Sequence, residues 1–212
     1  MPGRDQIDAR SELDEPHLSE VLDGLWLLLE EGVRNRDHGF HLPAVASLGR
    51  DGRPAVRTVV LRGVERNDRI LRFHSDRRSP KLAELAAEPR LSLLFYDPAE
   101  LTQLRIAARA SIHGSDAVAD AAWRETRLFS RRCYLQEPGP SQPVAGPTSA
   151  LPPEFAERAP EPDESEAGRP NFAVVLCRIE AIDWFYLNAR GHRRARFAWD
   201  GEGRLEADWL AP

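Results

Sequence analysis

Early in the chain, apolar residues recur at helical spacing. Leu18, Val21, Leu22, Leu25, Leu28 and Leu29 fall every three or four positions, which predicts an amphipathic helix over residues 17–33 whose apolar stripe must lie against something. After it the period changes. Residues 42–48 and 55–61 read as extended segments separated by Gly49-Arg50-Asp51-Gly52, where Asp-Gly supplies the positive φ angles of a hairpin turn. Residues 69–74 alternate, 91–96 are almost continuously apolar, 104–113 read as a fifth strand and 172–187 as a long strand or strand pair. Residues 197–199 and 205–210 flank the turn Asp200-Gly201-Glu202-Gly203. Ser79 as a cap, Pro80 at the first position and Pro89 as a stop predict a short helix presenting Leu82, Leu85 and Ala86 on one face. A further helix is expected from residue 116 to about 129. The pattern as a whole is mainly β (α+β), antiparallel, with flanking helices.

Composition narrows this picture. A chain of 212 residues, 42% hydrophobic, builds one good core, so a single domain over residues 1–212 is expected. The purely apolar run at residues 25–29 is far short of the roughly 20 needed for a membrane span. With an acidic first stretch unlike a signal peptide, the protein is expected to be cytoplasmic, with no membrane partner. Cys133, Cys177 and the histidines show no ligand spacing, so no metal site is expected. The absence of Gly-x-Ser-x-Gly, P-loop and Rossmann glycine patterns weighs against hydrolase, NTPase and Rossmann dehydrogenase chemistry.

Charge is unevenly placed. Residues 138–170 hold nine of the 17 prolines, with six acids against two arginines, so -4 of the net -5 lies there. Such a segment cannot bury enough apolar surface to offset its own ordering; a mobile loop is expected, either a lid or a plain linker. Lys81 is the only lysine among the 29 basic residues, which marks a general preference for arginine, so arginine clusters count for little by themselves. No basic stripe interleaved with aromatics points to nucleic acid.

Four places could carry chemistry. Ser79-Pro80-Lys81, behind Phe73-His74-Ser75-Asp76, puts free N–H groups and a cation at a helix start, which suits a phosphate but also suits a solvated lysine. Arg57 and Arg62 bracket an apolar strand, either to hold an anion across the sheet or as solvated strand ends. Gln103, ahead of Leu104-Arg105-Ile106, can both donate and accept, as the edge of a heterocycle requires, or can simply be exposed. Arg193, Arg194 and Arg196 follow Gly191-His192 in an expected turn, where the cations either are solvated or face an anion.

Taken in order, these segments resemble the pyridoxamine 5'-phosphate oxidase family from about Phe40 to the end of the chain. The family's Arg-x-Val-Leu-Leu-Lys motif is similar to Arg57-Thr58-Val59-Val60-Leu61-Arg62, its aromatic-Tyr-Thr strand end to Phe73-His74-Ser75, and its Ser-Arg-Lys helix start to Ser79-Pro80-Lys81. Leu93-Leu94-Phe95-Tyr96 with Gln103-Leu104-Arg105-Ile106 resembles the Leu-Leu-Phe segment and Gln-Val-Arg-Val strand, and His192-Arg193-Arg194-Ala195-Arg196 resembles the closing Arg-Leu-His-Asp-Arg.

The resemblance implies a split β-barrel homodimer with FMN at the subunit interface, and the apolar stripe of the first helix is a second reason to expect a covering partner. It implies that the segment from Arg57 through Thr58, Val59, Val60 and Leu61 to Arg62, with His74, Ser75 and Lys81, contacts the FMN phosphate or ribityl side. Gln103 would then meet the isoalloxazine, Phe185 would stand where the family has a tryptophan, with Trp184 adjacent, and Arg196 would lie on the cofactor's far side. Arg62, Trp123, Arg127, His192 and Arg194 fall at substrate positions. There are departures: Pro80 replaces a phosphate-binding arginine, Arg62 a lysine, and Trp123 and Arg131 a tyrosine and a serine that bind the substrate phosphate. The expected function is therefore hydride transfer from a small substrate to FMN with reoxidation by oxygen, with weak turnover of pyridoxamine 5'-phosphate itself. The rivals are a flavin-binding carrier or sensor without turnover, and a structural dimer that binds no flavin.

Overall fold

The structure, a computed structural model, describes residues 16–212, and the expectation drawn from the acidic first stretch lies outside them. Helix α1 (Leu18–Arg34) is followed by β1 (Ala44–Leu48), β2 (Pro54–Thr58), β3 (Leu61–Glu65) and β4 (Ile70–Asp76). Helix α2 (Pro80–Ala87) leads to β5 (Arg90–Asp97) and β6 (Thr102–His113), and then come α3 (Ala117–Glu125) and the single turn α4 (Leu128–Arg131). A short turn α5 (Pro162–Ser165) precedes β7 (Phe172–Tyr186), β8 (Arg193–Trp199) and β9 (Leu205–Leu210). Every paired strand is antiparallel, as the alternating pattern requires.

The hydrogen-bonded order is β2-β1-β5-β6-β7-β4-β3, with β8 and then β9 added beside β7. The two ends of that path, β2 and β3, are consecutive in the chain and joined only by Val59-Val60. The ends of the sheet must therefore meet in space, and the barrel is closed there by the chain rather than by a ladder. The sequence pattern reads 55–61 as one strand because Val59 and Val60 continue its apolar run. In the fold Val59 gives its N–H to the Pro43 carbonyl at 3.0 Å, in register with the Ala44–Thr58 pair, but Pro43 has no N–H to return, so the ladder ends there and the strand breaks in two.

Two other boundaries differ from the sequence expectation. The helix expected over 116–129 stops at Thr126, whose hydroxyl donates to the Ala122 carbonyl at 2.7 Å and competes with the helical bond. The cluster from Arg193 to Arg196 lies inside β8, and the preceding turn is taken by residues before it. The Gly49–Gly52 hairpin turn forms as expected, with Gly52 at φ 79°.

The main core fills the barrel with Leu29, Phe40, Phe73, Phe95 and Phe197, all essentially inaccessible. The α1 stripe, Leu22, Leu25, Trp26 and Leu29, is buried in the same core, with the helix laid over β3. This corrects one ground for a dimer, because the stripe is covered by its own chain. A second, smaller core joins Ala122 and Trp123 of α3 to Phe172 and Val174 of β7, with Tyr134 packed beside it.

Residues 138–170 run alongside that second core and are tied to it by polar anchors. Arg131, nearly buried beneath them, donates to Ser165 Oγ at 3.0 Å and Glu166 Oε1 at 3.2 Å, and its guanidinium stacks 4.6 Å from the Trp123 ring centre. Trp123 gives its indole N–H to Glu166 at 2.9 Å, and Arg132 donates to the carbonyls of Phe155 and Ala156. Of the six acids in this stretch Glu166 pairs with Arg131 of α4 and Glu164 with Arg158 inside the stretch, while Arg169 reaches Asp120 of α3.

Candidate functional site

At the start of α2, Lys81 Nζ donates to the hydroxyls of Ser75 and Ser79, each at 3.0 Å. Ser79 was expected to cap the helix with its hydroxyl; it instead holds this ammonium, and its side chain makes no capping bond. Across from it, Arg57 on β2 donates to Ser47 Oγ at 2.5 Å and to Glu84 Oε2 at 2.6 Å, while Ser47 also donates to Glu84. Burial, with the field of Arg57, lowers the Lys81 pKa. Glu84 is held below the ordinary carboxylate range: its burial pushes the other way, but hydrogen bonds from Ser47 and Arg57 outweigh it. Arg57, Ser75 and Lys81, far apart in the chain, are brought into one neighbourhood at a helix N-terminus, where cationic and hydroxyl groups of the kind a phosphate takes stand beside the carboxylates of Asp76 and Glu84. Between Arg57 and Arg62, the side chains of Val59 and Leu61 are buried in the core, so only their backbone is available to a ligand, while Thr58 is exposed at the end of β2.

Arg62 departs from the regular ladder. Leu61 pairs with Phe73 and Gly63 with Arg72, so Arg62 is the extra residue of a β-bulge, which turns its side chain out of the alternation. A Cβ at Gly63 would sit 2.8 Å from Arg72 Nε, so any larger residue there must displace the Arg72 side chain. The bulge aims Arg62 into a cavity of about 240 Å³ that Arg36, Arg72, His74, Arg127 and Ser130 also line. His74 Nε2 and Arg72 Nε are buried here without a hydrogen-bond partner. Burial, followed by the fields of Arg72 and Arg62, lowers the His74 pKa to about 3, so the imidazole is neutral. Arg62 is also lowered, by burial and by its neighbours Arg36 and Arg127.

The third group lies on the outward face of the sheet. Tyr96, Gln103, Phe185 and Arg194 are successive cross-strand partners on β5, β6, β7 and β8. Phe185, not Trp184, therefore shares the Gln103 face; Trp184 turns inward and stacks on Tyr186 at 6.1 Å. Asp183 accepts from Arg105 at 2.6 Å and from Arg194 at 2.8 Å, and these bonds outweigh burial and keep its pKa low. His192 packs its ring 5.3 Å from Phe185, and Arg196 is exposed on β8 opposite Asp183. His192 and Arg194 line a different cavity from the one holding Arg62 and Arg127.

Trp123 and Arg131 are in neither cavity; both are buried under residues 165–166. Arg36 was not singled out from the sequence, because an exposed arginine between α1 and β1 in an arginine-rich chain carries no signal of its own. Ser130 falls one position before the residue that motif spacing selects. Among the described residues, no cluster of His, Cys, Asp or Glu could hold a metal, and no helix is long and apolar enough to cross a membrane.

The antiparallel sheet and its flanking helices have the fold of the FMN-binding split barrels. The family description "Pyridoxamine 5'-phosphate oxidase, FMN-binding domain" matches residues 25–114, and the chain belongs to the pyridoxamine 5'-phosphate oxidase family. A pyridoxine/pyridoxamine 5'-phosphate oxidase from Gluconobacter oxydans is 32% identical over 166 residues, 76% of this chain and 78% of the relative. Pyridoxine/pyridoxamine 5'-phosphate oxidase 2 of Arabidopsis thaliana is 28% identical over 193 residues, 87% of this chain and 92% of that one. Among solved structures, a pyridoxamine 5'-phosphate oxidase-related, FMN binding protein from Nostoc punctiforme superposes with a TM-score of 0.72 at 24% identity, covering 90% of this chain and 96% of its own. PhzG from Burkholderia lata, in complex with tetrahydrophenazine-1-carboxylic acid, gives 0.69 at 18% identity, covering 95% and 98%.

Proposed function

We propose that the protein binds FMN and oxidises a small substrate bearing an anionic group. The observation that carries this is the seat at the start of α2, where Lys81 donates to two serine hydroxyls and lies within the field of Arg57. Arg57, Ser75 and Lys81 hold the phosphate, with the backbone from Thr58 to Leu61 along the ribityl chain. Gln103 reads the edge of the ring system, Phe185 walls it, and Arg196 lies beyond it. Bound flavin supplies hydride acceptance, with oxygen as the acceptor that restores it. The chain's own residues orient the substrate: Arg62 and Arg127 from one cavity, His192 and Arg194 from the other. Trp123, whose N–H is already given to Glu166, is left out of this arrangement.

The test is the absorbance spectrum of the purified protein, followed by FMN titration. Lys81→Ala should weaken FMN binding by about 1 to 3 kcal/mol, the range for losing a charge-assisted hydrogen bond, while the fold is kept. An unchanged dissociation constant would remove Lys81 from the site.

We also propose that the working form is a homodimer. The row carrying Gln103 and Phe185 shares its sheet face with Leu94, Tyr96 and Val56, which are 42%, 49% and 65% exposed in the single chain. A second copy on that face would cover them and could unite the two cavities into one substrate site. Sedimentation of the flavin-loaded protein should give a dimer; a stable monomer with FMN bound would contradict it.

A further inference from the structure

The cavity behind the Arg62 bulge is more cationic than its motif residues alone would make it. Its lining holds five arginines against one glutamate. Two of the five have acidic partners, Arg34 with Glu31 at 3.2 Å and Arg72 with Glu125 at 3.7 Å. Among the described residues, Arg36, Arg62 and Arg127 have no ion-pair partner, yet they lie close enough for the other two to perturb Arg62. Unpaired like charges around one small cavity repel each other, and an anion there relieves that cost. His74 adds no charge but presents a buried Nε2 with an unused hydrogen-bonding capacity, and Ser130 adds a residue with a hydroxyl.

We propose that Arg36 is a specificity-determining residue of the substrate site: with Arg62 and Arg127 it encloses a phosphomonoester dianion on the substrate. This rests on the flavin-oxidoreductase reading for the site's role, but not on turnover. Arg36 comes from the stretch between α1 and β1, outside every motif segment. Its guanidinium stands in for the hydroxyl donors lost at Trp123 and Arg131, whose side chains are taken up by residues 165–166. Three forked donors match the several oxygens and double charge of a phosphate better than the single charge of a carboxylate.

Calorimetric titration with pyridoxine 5'-phosphate and with pyridoxine, which differ only in the phosphate, tests this on the flavin-saturated protein and its Arg36→Ala and Arg36→Lys variants. Arg36→Ala should weaken the phosphorylated ligand by at least about tenfold, the loss expected for one charge-assisted contact. Pyridoxine and FMN should each change by less than about twofold on the same scale, and Arg36→Lys should recover part of the loss. A loss below twofold for the phosphorylated ligand, or equal losses for both ligands, overturns the proposal. If the purified protein takes up no flavin, that result counts against the oxidoreductase reading alone. Inorganic phosphate titrated into the wild type and Arg36→Ala then decides the cradle, and no binding to the wild type at millimolar phosphate overturns it.

Discussion

Replacing His74 with glutamine should flatten the acid limb of the stability curve. The His74 ring sits edge-on to Phe172 with centroids 4.9 Å apart, and its Nε2 is buried without a partner. Burial, reinforced by Arg72 and Arg62, lowers its pKa to about 3, against about 6.5 for an unfolded imidazole. Between those values the unfolded chain binds a proton that the folded chain excludes, so stability rises with pH across this window. The contribution is complete above the unfolded value and is lost as pH falls toward 3. From pH 7 to pH 4 the loss amounts to about 3 kcal/mol, at 1.36 kcal/mol per unit. Urea unfolding of wild type and His74→Gln at several pH values isolates this term. Carboxylates held low elsewhere, Glu84, Asp97 and Asp183 among them, act on both proteins alike and cancel in the difference. A difference that stays constant with pH would mean that His74 takes up its proton in the folded state.

Phe172→Ala should cost about 3 to 5 kcal/mol, the range for emptying a large buried site that cannot collapse. Phe172 is fully inaccessible, and its ring meets Tyr134 at 5.0 Å, Trp123 at 5.2 Å and His74 at 4.9 Å. Each neighbour belongs to a different part of the structure: the segment after α4, helix α3, and the wall of the arginine-lined cavity. Removing the ring therefore loosens the second core while the barrel core is untouched. Hydrogen exchange should show this as faster labelling over residues 153–171, with the protection of β5 and β6 kept. A uniform acceleration across the chain would show that the two cores unfold as one unit.

Much of the architecture was legible because alternation and helical spacing survive wherever one face is buried. Leu91, Leu93 and Phe95 point inward from β5 as their spacing predicts, and α1 presents its stripe to the core. The break at Val59-Val60 was not legible in the apolar run itself, since what ends the ladder is the missing N–H of Pro43 on the neighbouring strand position. The Arg62 bulge did leave a trace, the glycine after it inside a strand pattern, which is a common mark of a bulge. Motif order singled out Arg57, Ser75, Lys81 and Gln103 as candidate donors, but order says nothing about which cavity a side chain enters. So the segregation of Arg62 and Arg127 from His192 and Arg194, and the arrival of Arg36 beside the first pair, needed the fold. Trp123 and Arg131 were placed by spacing at substrate positions, and their partners Ser165 and Glu166 stand in the one stretch whose composition shows no sign of attachment.

The position of β7 sets a constraint on how the protein is made. Among the described residues, strand β4 bonds only to β3 and β7, and β7 alone bridges β4 to β6. On the ribosome, the β3–β4 hairpin therefore waits with an unpaired edge until residues as late as Phe172–Arg178 have left the exit tunnel. During that wait α2, β5, β6 and the helical stretch are made first, and then the proline-rich, acidic run, whose composition offers no further strand to compete for the open edge. The same stretch that later lies along the second core thus adds length before β7 without adding a rival strand.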